Sequence, residues 1–223
     1  MMRIYLTVFV AFIALLGIES CKKGDDTAIA TLTTNVNFIN ATTDTLNYYV
    51  NGTRINNASA LYPFGATGYL STPFGEQNYQ VKKDGNPGVL FNLALNLDTS
   101  KVYSVFTTDN TPENTFTVID TLTSVDTLSM VRFVHTSPKL ANLEIKMNDT
   151  VWFANQSFKS VSDYSHIPPG EKHIKVIDVA TGNVLINETR TLQVNRAYTL
   201  FTKGGLTATG GTASTGTGLI INE

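Results

Sequence analysis

"VRFVHTSPKLANLEIKMNDTVWF", Val131 to Phe153, decides how the whole chain is read. Val131 and Phe133 flank Arg132, and Leu143, Ile145 and Met147 alternate with Glu144 and Lys146, so each run puts its apolar side chains on one face of a strand. Asn148-Asp149 supplies two residues that tolerate positive φ, the chemistry of a tight hairpin turn. Val151-Trp152-Phe153 then begins the next strand. With Val151 and Phe153 toward the core, Trp152 faces out, as a platform for a sugar ring or an anchor at a protein interface. The structural alternative is that Trp152 covers a domain junction or a sheet edge.

The same period of two runs through the rest of the chain. Val36 and Phe38, then Leu46, Tyr48 and Val50, then Leu93, Leu95 and Leu97 alternate in the first half; Ile174 and Val176, then Leu192 and Val194, alternate in the second. Asn51-Gly52, Asp84-Gly85, Pro168-Pro169-Gly170 and Thr181-Gly182-Asn183 punctuate the runs with turn residues. After residue 20 no stretch sustains the three-and-four spacing of an amphipathic helix, so the chain reads as all-β. Of the adjacent pair Tyr48 and Tyr49, one must leave the core face, and Tyr49 is a second candidate for ligand contact.

Val36 and Phe38 recur as Val131 and Phe133, a shift of 131 − 36 = 95 residues. That shift also carries Tyr69 to Tyr164, Pro73 to Pro168, Gly75-Glu76 to Gly170-Glu171, Leu97 to Leu192, Tyr103 to Tyr198 and Phe106 to Phe201. The offset slips to 97 at Asn51-Gly52-Thr53 and Asn148-Asp149-Thr150, as a short hairpin insertion would make it. Each repeat reads as seven strands, a sandwich of the immunoglobulin or transthyretin kind. Units of this size can bury their own cores, so two tandem domains are expected, at 34–119 and 129–223, joined by a linker over 120–128. The Gly/Thr-rich stretch 204–218 reads as a loop before the final strand.

Composition narrows the function. The net charge is −2 and no basic stripe is present to neutralise phosphates, which argues against nucleic acid as a partner. Hydrophobic residues make up 42% of the chain, enough for packed cores. The only cysteine, Cys21, rules out an internal disulfide or a multi-thiolate metal site. No cofactor is expected.

Cys21 stands where an apolar run meets charge. Met1 to Arg3 form a positive start, and Ile4 to Ile18 is apolar apart from Thr7, so residues 1–20 read as a signal peptide. That run is shorter than the roughly 20 apolar residues of a membrane-spanning helix. Ile18, Glu19 and Ser20 before Cys21 resemble a lipobox, with Glu19 departing from the usual middle residue. Cys21 is therefore expected to carry lipid and tether the chain, through 21–33, to a membrane. Lys22 to Asp26 resembles the surface-export signal of Bacteroidetes lipoproteins, with Gly24 interrupting it. Outer-membrane or cell-surface display is the expectation.

The residues quoted first also carry a family resemblance. Arg-Phe-Val-His-x-Ser-Pro at Arg132 to Pro138, Val-Ser-Asp-Tyr at Val161 to Tyr164 and Pro-x-Gly at Pro168 to Gly170 resemble the family called domain of unknown function 4397, over roughly Met130 to Lys203. The first repeat is similar to a diverged copy, with Asn40 for the histidine and Gly68 for the aspartate. The resemblance implies a β-sandwich in secreted or envelope proteins and no established activity.

Candidate chemistry is sparse. His135 and Ser137 share a strand face, but no third residue is placed to orient the histidine, and Asn40 and Thr42 replace them in the first repeat. His135 is expected to hydrogen-bond at the strand end. His166, Glu171 and His173 lack the tight spacing of zinc ligands. Thr27, Thr45, Thr121, Thr127 and Thr150 each follow Asp and precede a small or aliphatic residue, which resembles the O-glycosylation acceptor of Bacteroidetes. Abundant Thr beside turn-forming Asp would give the same pattern. The expectation is a non-catalytic envelope lipoprotein that binds glycan or protein; the alternative is a spacer or subunit of an envelope assembly.

Overall fold

The computed structural model describes residues 32–56, 59–121, 127–203 and 216–222, so Cys21, Thr27 and the tether up to residue 31 lie outside the described residues, and Thr33 already belongs to the first strand. Residues 32–223 pack as one compact unit. The first repeat contains β1 (Thr33–Asn40), β2 (Leu46–Val50), β3 (Thr53–Arg54), β4 (Ala66–Pro73), β5 (Gly75–Lys83), β6 (Phe91–Leu97), β7 (Val102–Thr107) and β8 (Thr115–Asp120). The second contains β9 (Ser129–Val134), β10 (Asn142–Met147), β11 (Thr150–Ser157), β12 (Ser165–Ile167), β13 (Gly170–Asp178), β14 (Val184–Leu192), β15 (Arg196–Thr202) and β16 (Thr217–Ile221). Each repeat thus has eight strands where its sequence suggests seven. The surplus lies at sheet edges: β3 is two residues long, and β4 is half-buried along most of its length, so neither displays a clean alternation.

The two repeats have identical topology. Sheets of order β4-β1-β7-β8 and β3-β2-β5-β6 form the first sandwich, and β12-β9-β15-β16 and β11-β10-β13-β14 form the second. β1 runs parallel to β7, and β9 parallel to β15. This order departs from the constant-type immunoglobulin arrangement, where the first and second strands share a sheet.

Local chemistry accounts for the elements. In β6, Phe91, Leu93, Leu95 and Leu97 are buried while Asn92, Ala94 and Asn96 are exposed. The β2–β3 turn has positive φ at Asn51 and Gly52, and the β10–β11 turn at Asn148 and Asp149, as a two-residue hairpin with the right-handed strand twist requires. Each sandwich has its own core. In the first, Phe38 lies 4.6 Å from Tyr48 and 5.4 Å from Tyr79, ring centre to ring centre. In the second, Phe133 stacks on Phe153 at 6.2 Å. One device recurs at the 95-residue offset: the Tyr103 hydroxyl accepts the Asp98 N–H at 3.0 Å, and the Tyr198 hydroxyl accepts the Gln193 N–H at 3.0 Å.

A third apolar layer joins the repeats. The inner faces of β1 and β7 supply Phe38 and Val105 to the first core, while their outer faces present Ile39 and Phe106. Val134 on β9, Phe201 on β15 and Ile220 on β16 do the same in the second repeat, and all five outward residues belong to one buried cluster. The β4-β1-β7-β8 sheet therefore packs its outer face on that of β12-β9-β15-β16, and β9 is buried along its whole length. The equivalent residues Phe106 and Phe201 meet edge to face at 5.8 Å.

Beside this layer a polar ring closes across the junction. Asp120 ends β8, and its carboxylate accepts the Ser104 hydroxyl at 2.6 Å and the Tyr69 hydroxyl at 2.8 Å. Arg132 of the second repeat ion-pairs with the same carboxylate and donates from Nε to Thr199 at 2.8 Å. Thr199 donates to Asn222 at 2.6 Å, and the Asn222 amide returns to Tyr69 at 3.0 Å. Burial, and then the Asp120 charge, push the Tyr69 phenol well above its ordinary pKa.

Candidate functional site

With two sheets consumed by the junction, the broad face left free on the first repeat is the outer face of β3-β2-β5-β6. Tyr48 points inward, fully buried, and bonds Thr107 at 2.8 Å, which turns Tyr49 outward, half-buried. Register extends the face: Gln80 lies opposite Tyr49, Asn92 opposite Gln80, Ala94 opposite Asn78 and Asn96 opposite Glu76. Asn78, Asn92 and Asn96 are exposed and Gln80 is half-buried. The result is a run of neutral amides beside one aromatic ring. Side-chain amides both donate and accept, as hydroxyl-rich ligands need, and an aromatic face suits the apolar side of a pyranose.

The equivalent face of the second repeat is charged and internally paired. Lys146 meets Glu144 at 3.4 Å and Lys175 meets Asp149 at 2.6 Å. His173 is exposed on that face. A notch of about 290 Å³ at the junction rim, lined by Ile119, Arg132, Asp163 and Tyr164 among others, falls just under the usual range for small-molecule pockets.

Trp152 takes the second of its two expected placements, covering a sheet edge instead of facing out. Val151 is exposed, Phe153 is buried, and Trp152 is half-buried against the second core. A bulge explains this, since Ile145 pairs with Phe153 while the next residue, Lys146, pairs with Val151, leaving Trp152 as the extra residue. The tryptophan covers its own sheet edge. No sequence signal marks that bulge.

His135 and Ser137 do come together. The Ser137 N–H donates to His135 Nδ1 at 3.1 Å, and the Ser137 hydroxyl donates to the Lys203 carbonyl at 2.8 Å. Asn40 does the same work in the first repeat, its Oδ1 accepting the Thr42 N–H at 3.0 Å. The imidazole is fully buried, its Nε2 has no hydrogen-bond partner among the described residues, and burial lowers its pKa from 6.5 to about 4. His166 pairs on β12 with β9, and His173 on β13 with β10 and β14, so the two belong to different sheets. Among the described residues no three His, Cys, Asp or Glu side chains are grouped to hold a metal.

The Asp-Thr motifs separate by accessibility. Thr121, Thr127 and Thr150 are exposed and Thr45 is half-buried. Asp120 beside Thr121 is locked in the junction ring, and Asp44 beside Thr45 holds Lys83 at 2.9 Å and Asn110 at 2.7 Å. Asp149-Thr150 is exposed on the β10–β11 turn, with the Asp149 carboxylate on Lys175 at 2.6 Å. On the outer face of β3-β2-β5-β6 the sequence pointed to Tyr49 and not to Gln80, Asn78, Asn92 and Asn96. Their signal was the polar half of the alternation that placed the core.

The family model described as "Domain of unknown function (DUF4397)" matches residues 34–127 and, a second time, residues 129–217. No curated protein matches the chain.

Proposed function

The chain belongs to that family as two consecutive copies, and from this premise we propose that it is a non-catalytic lipoprotein of the bacterial envelope that binds glycan on the outer face of β3-β2-β5-β6. The observation that carries the reading is the amide and tyrosine surface of half-buried Tyr49 and Gln80 with exposed Asn78, Asn92 and Asn96, free of the internal ion pairs that occupy the matching face of the other repeat. Lipid on Cys21 would hold the pair at a membrane, with Ile4 to Ile18 as the export signal. Outer-membrane or cell-surface display then puts the face in contact with extracellular polysaccharide.

A labelled glycan array on cells and on detergent-purified protein tests both parts. The wild-type chain should bind on cells and in solution. Cys21→Ala should lose cell association and keep binding in solution. Tyr49→Ala should stay on cells with binding weakened about fivefold or more, since a stacked aromatic supplies about 1 kcal/mol beyond area burial. Undiminished binding by Tyr49→Ala would remove the site.

A second reading has its own observation. The buried layer and polar ring between the repeats would make the tandem an extended spacer or assembly subunit, with an envelope protein as partner. Co-purification of one stoichiometric protein together with no glycan retention would favour it.

A further inference from the structure

Tyr49 lies between two cations. Arg54 is its direct cross-strand partner, and the Lys82 ammonium stands 4.7 Å from the centre of its ring. Neither cation forms a salt bridge among the described residues, whereas Lys83, the next residue along, is held by Asp44 at 2.9 Å. Among the described residues, Nε and Nη2 of Arg54 are shielded from solvent and have no hydrogen-bond partner. Glu76, which shares the face, is six residues from Lys82 along β5, roughly 20 Å at the rise of a strand. One end of the face therefore carries two cations without a salt bridge beside an aromatic ring, while Asp84, two residues past Lys82, is held by the Asn47 amide at 2.9 Å.

Buried donors without partners are rare and call for a cause, and two adjacent guanidinium N–H groups match the two oxygens of a carboxylate. We propose that this end of the face selects a carboxylate-bearing sugar, a uronic acid residue within a glycan. The Arg54 side chain turns its two unbonded donors onto the carboxylate, and Lys82 meets the same charge from across the ring. Tyr49 underlies the pyranose, while Gln80 and Asn92 bond its hydroxyls. A neutral sugar leaves both cations without a counterion, and a bare anion makes no use of the ring. This assignment rests on the reading of the face as glycan-binding.

Titration calorimetry on the full chain in detergent, with hexamers of galacturonate, glucuronate and mannuronate and their methyl esters, tests the assignment. The methyl ester keeps the sugar and removes the charge. At least one acid should bind tenfold or more tighter than its ester, with the margin narrowing in high salt. Arg54→Gln and Lys82→Gln, whose folding is checked by thermal melts, should each reduce that ratio several-fold. Equal affinity for acid and ester would overturn the uronate assignment and leave the glycan face standing. Dextran sulfate binding as tightly as the best uronate would overturn it too, as plain charge attraction. Failure of every acid and ester, with neutral glycans also unbound, would remove the assignment together with the face.

Discussion

At position 135 the chain carries a histidine where its first repeat carries Asn40, and both side chains accept the N–H two residues on. The difference is that imidazole can be protonated. An unfolded histidine takes its proton near pH 6.5, whereas the buried one resists until about pH 4. The unfolded state thus binds more protons in that interval, so stability from this residue is whole above pH 6.5 and shrinks as pH falls toward 4. The full contribution is on the order of 3 kcal/mol. Urea unfolding of the wild type should lose that much more stability between pH 7 and 4 than His135→Asn does, and equal losses would refute the assignment. Alternation told that His135 and Ser137 share a face; burial from every side comes from the loop around Lys159 and Ser160, which no local pattern announces.

Among the elements, the paired last strands show where symmetry breaks. Phe116 on β8 lies opposite Phe106 and stacks on it at 5.5 Å, while at the matching place on β16 Gly218 lies opposite Phe201. A methyl group on Gly218 would sit inside the Phe201 ring. Glycine here leaves room for Phe201 to lie flat in the junction. Gly218→Ala should cost about 2 kcal/mol by overpacking, seen as a lower midpoint in chemical denaturation with an unchanged slope. An unaltered midpoint would show that the ring can move aside. Hairpins such as Asn51-Gly52 and Asn148-Asp149 were legible because turn chemistry is local. The bulge at Trp152 was not, because a ladder slip is set by the partner strand β10.

For the whole molecule, two sandwiches that share a buried layer should unfold together. Calorimetry should show one transition with calorimetric and van't Hoff enthalpies equal, and Arg132→Met, which strands the Asp120 carboxylate, should lower that single transition by about 3–5 kcal/mol. Two separable transitions would mean the repeats stand independently. The proposed site follows from the same arrangement, since packing two sheets face to face leaves the Tyr49 surface as the open face of the first repeat. By itself the sequence determined the strands with clean alternation, the main turns, the doubled unit and its family, because each rests on residues within a few positions of one another or on an exact offset. Only the tertiary structure decided that Ile39, Phe106, Val134 and Phe201 turn away from their own cores to meet, and that Arg132 finds Asp120. A strand buried on both faces looks locally like any apolar run, and which surface covers its second face depends on contacts far away in the chain.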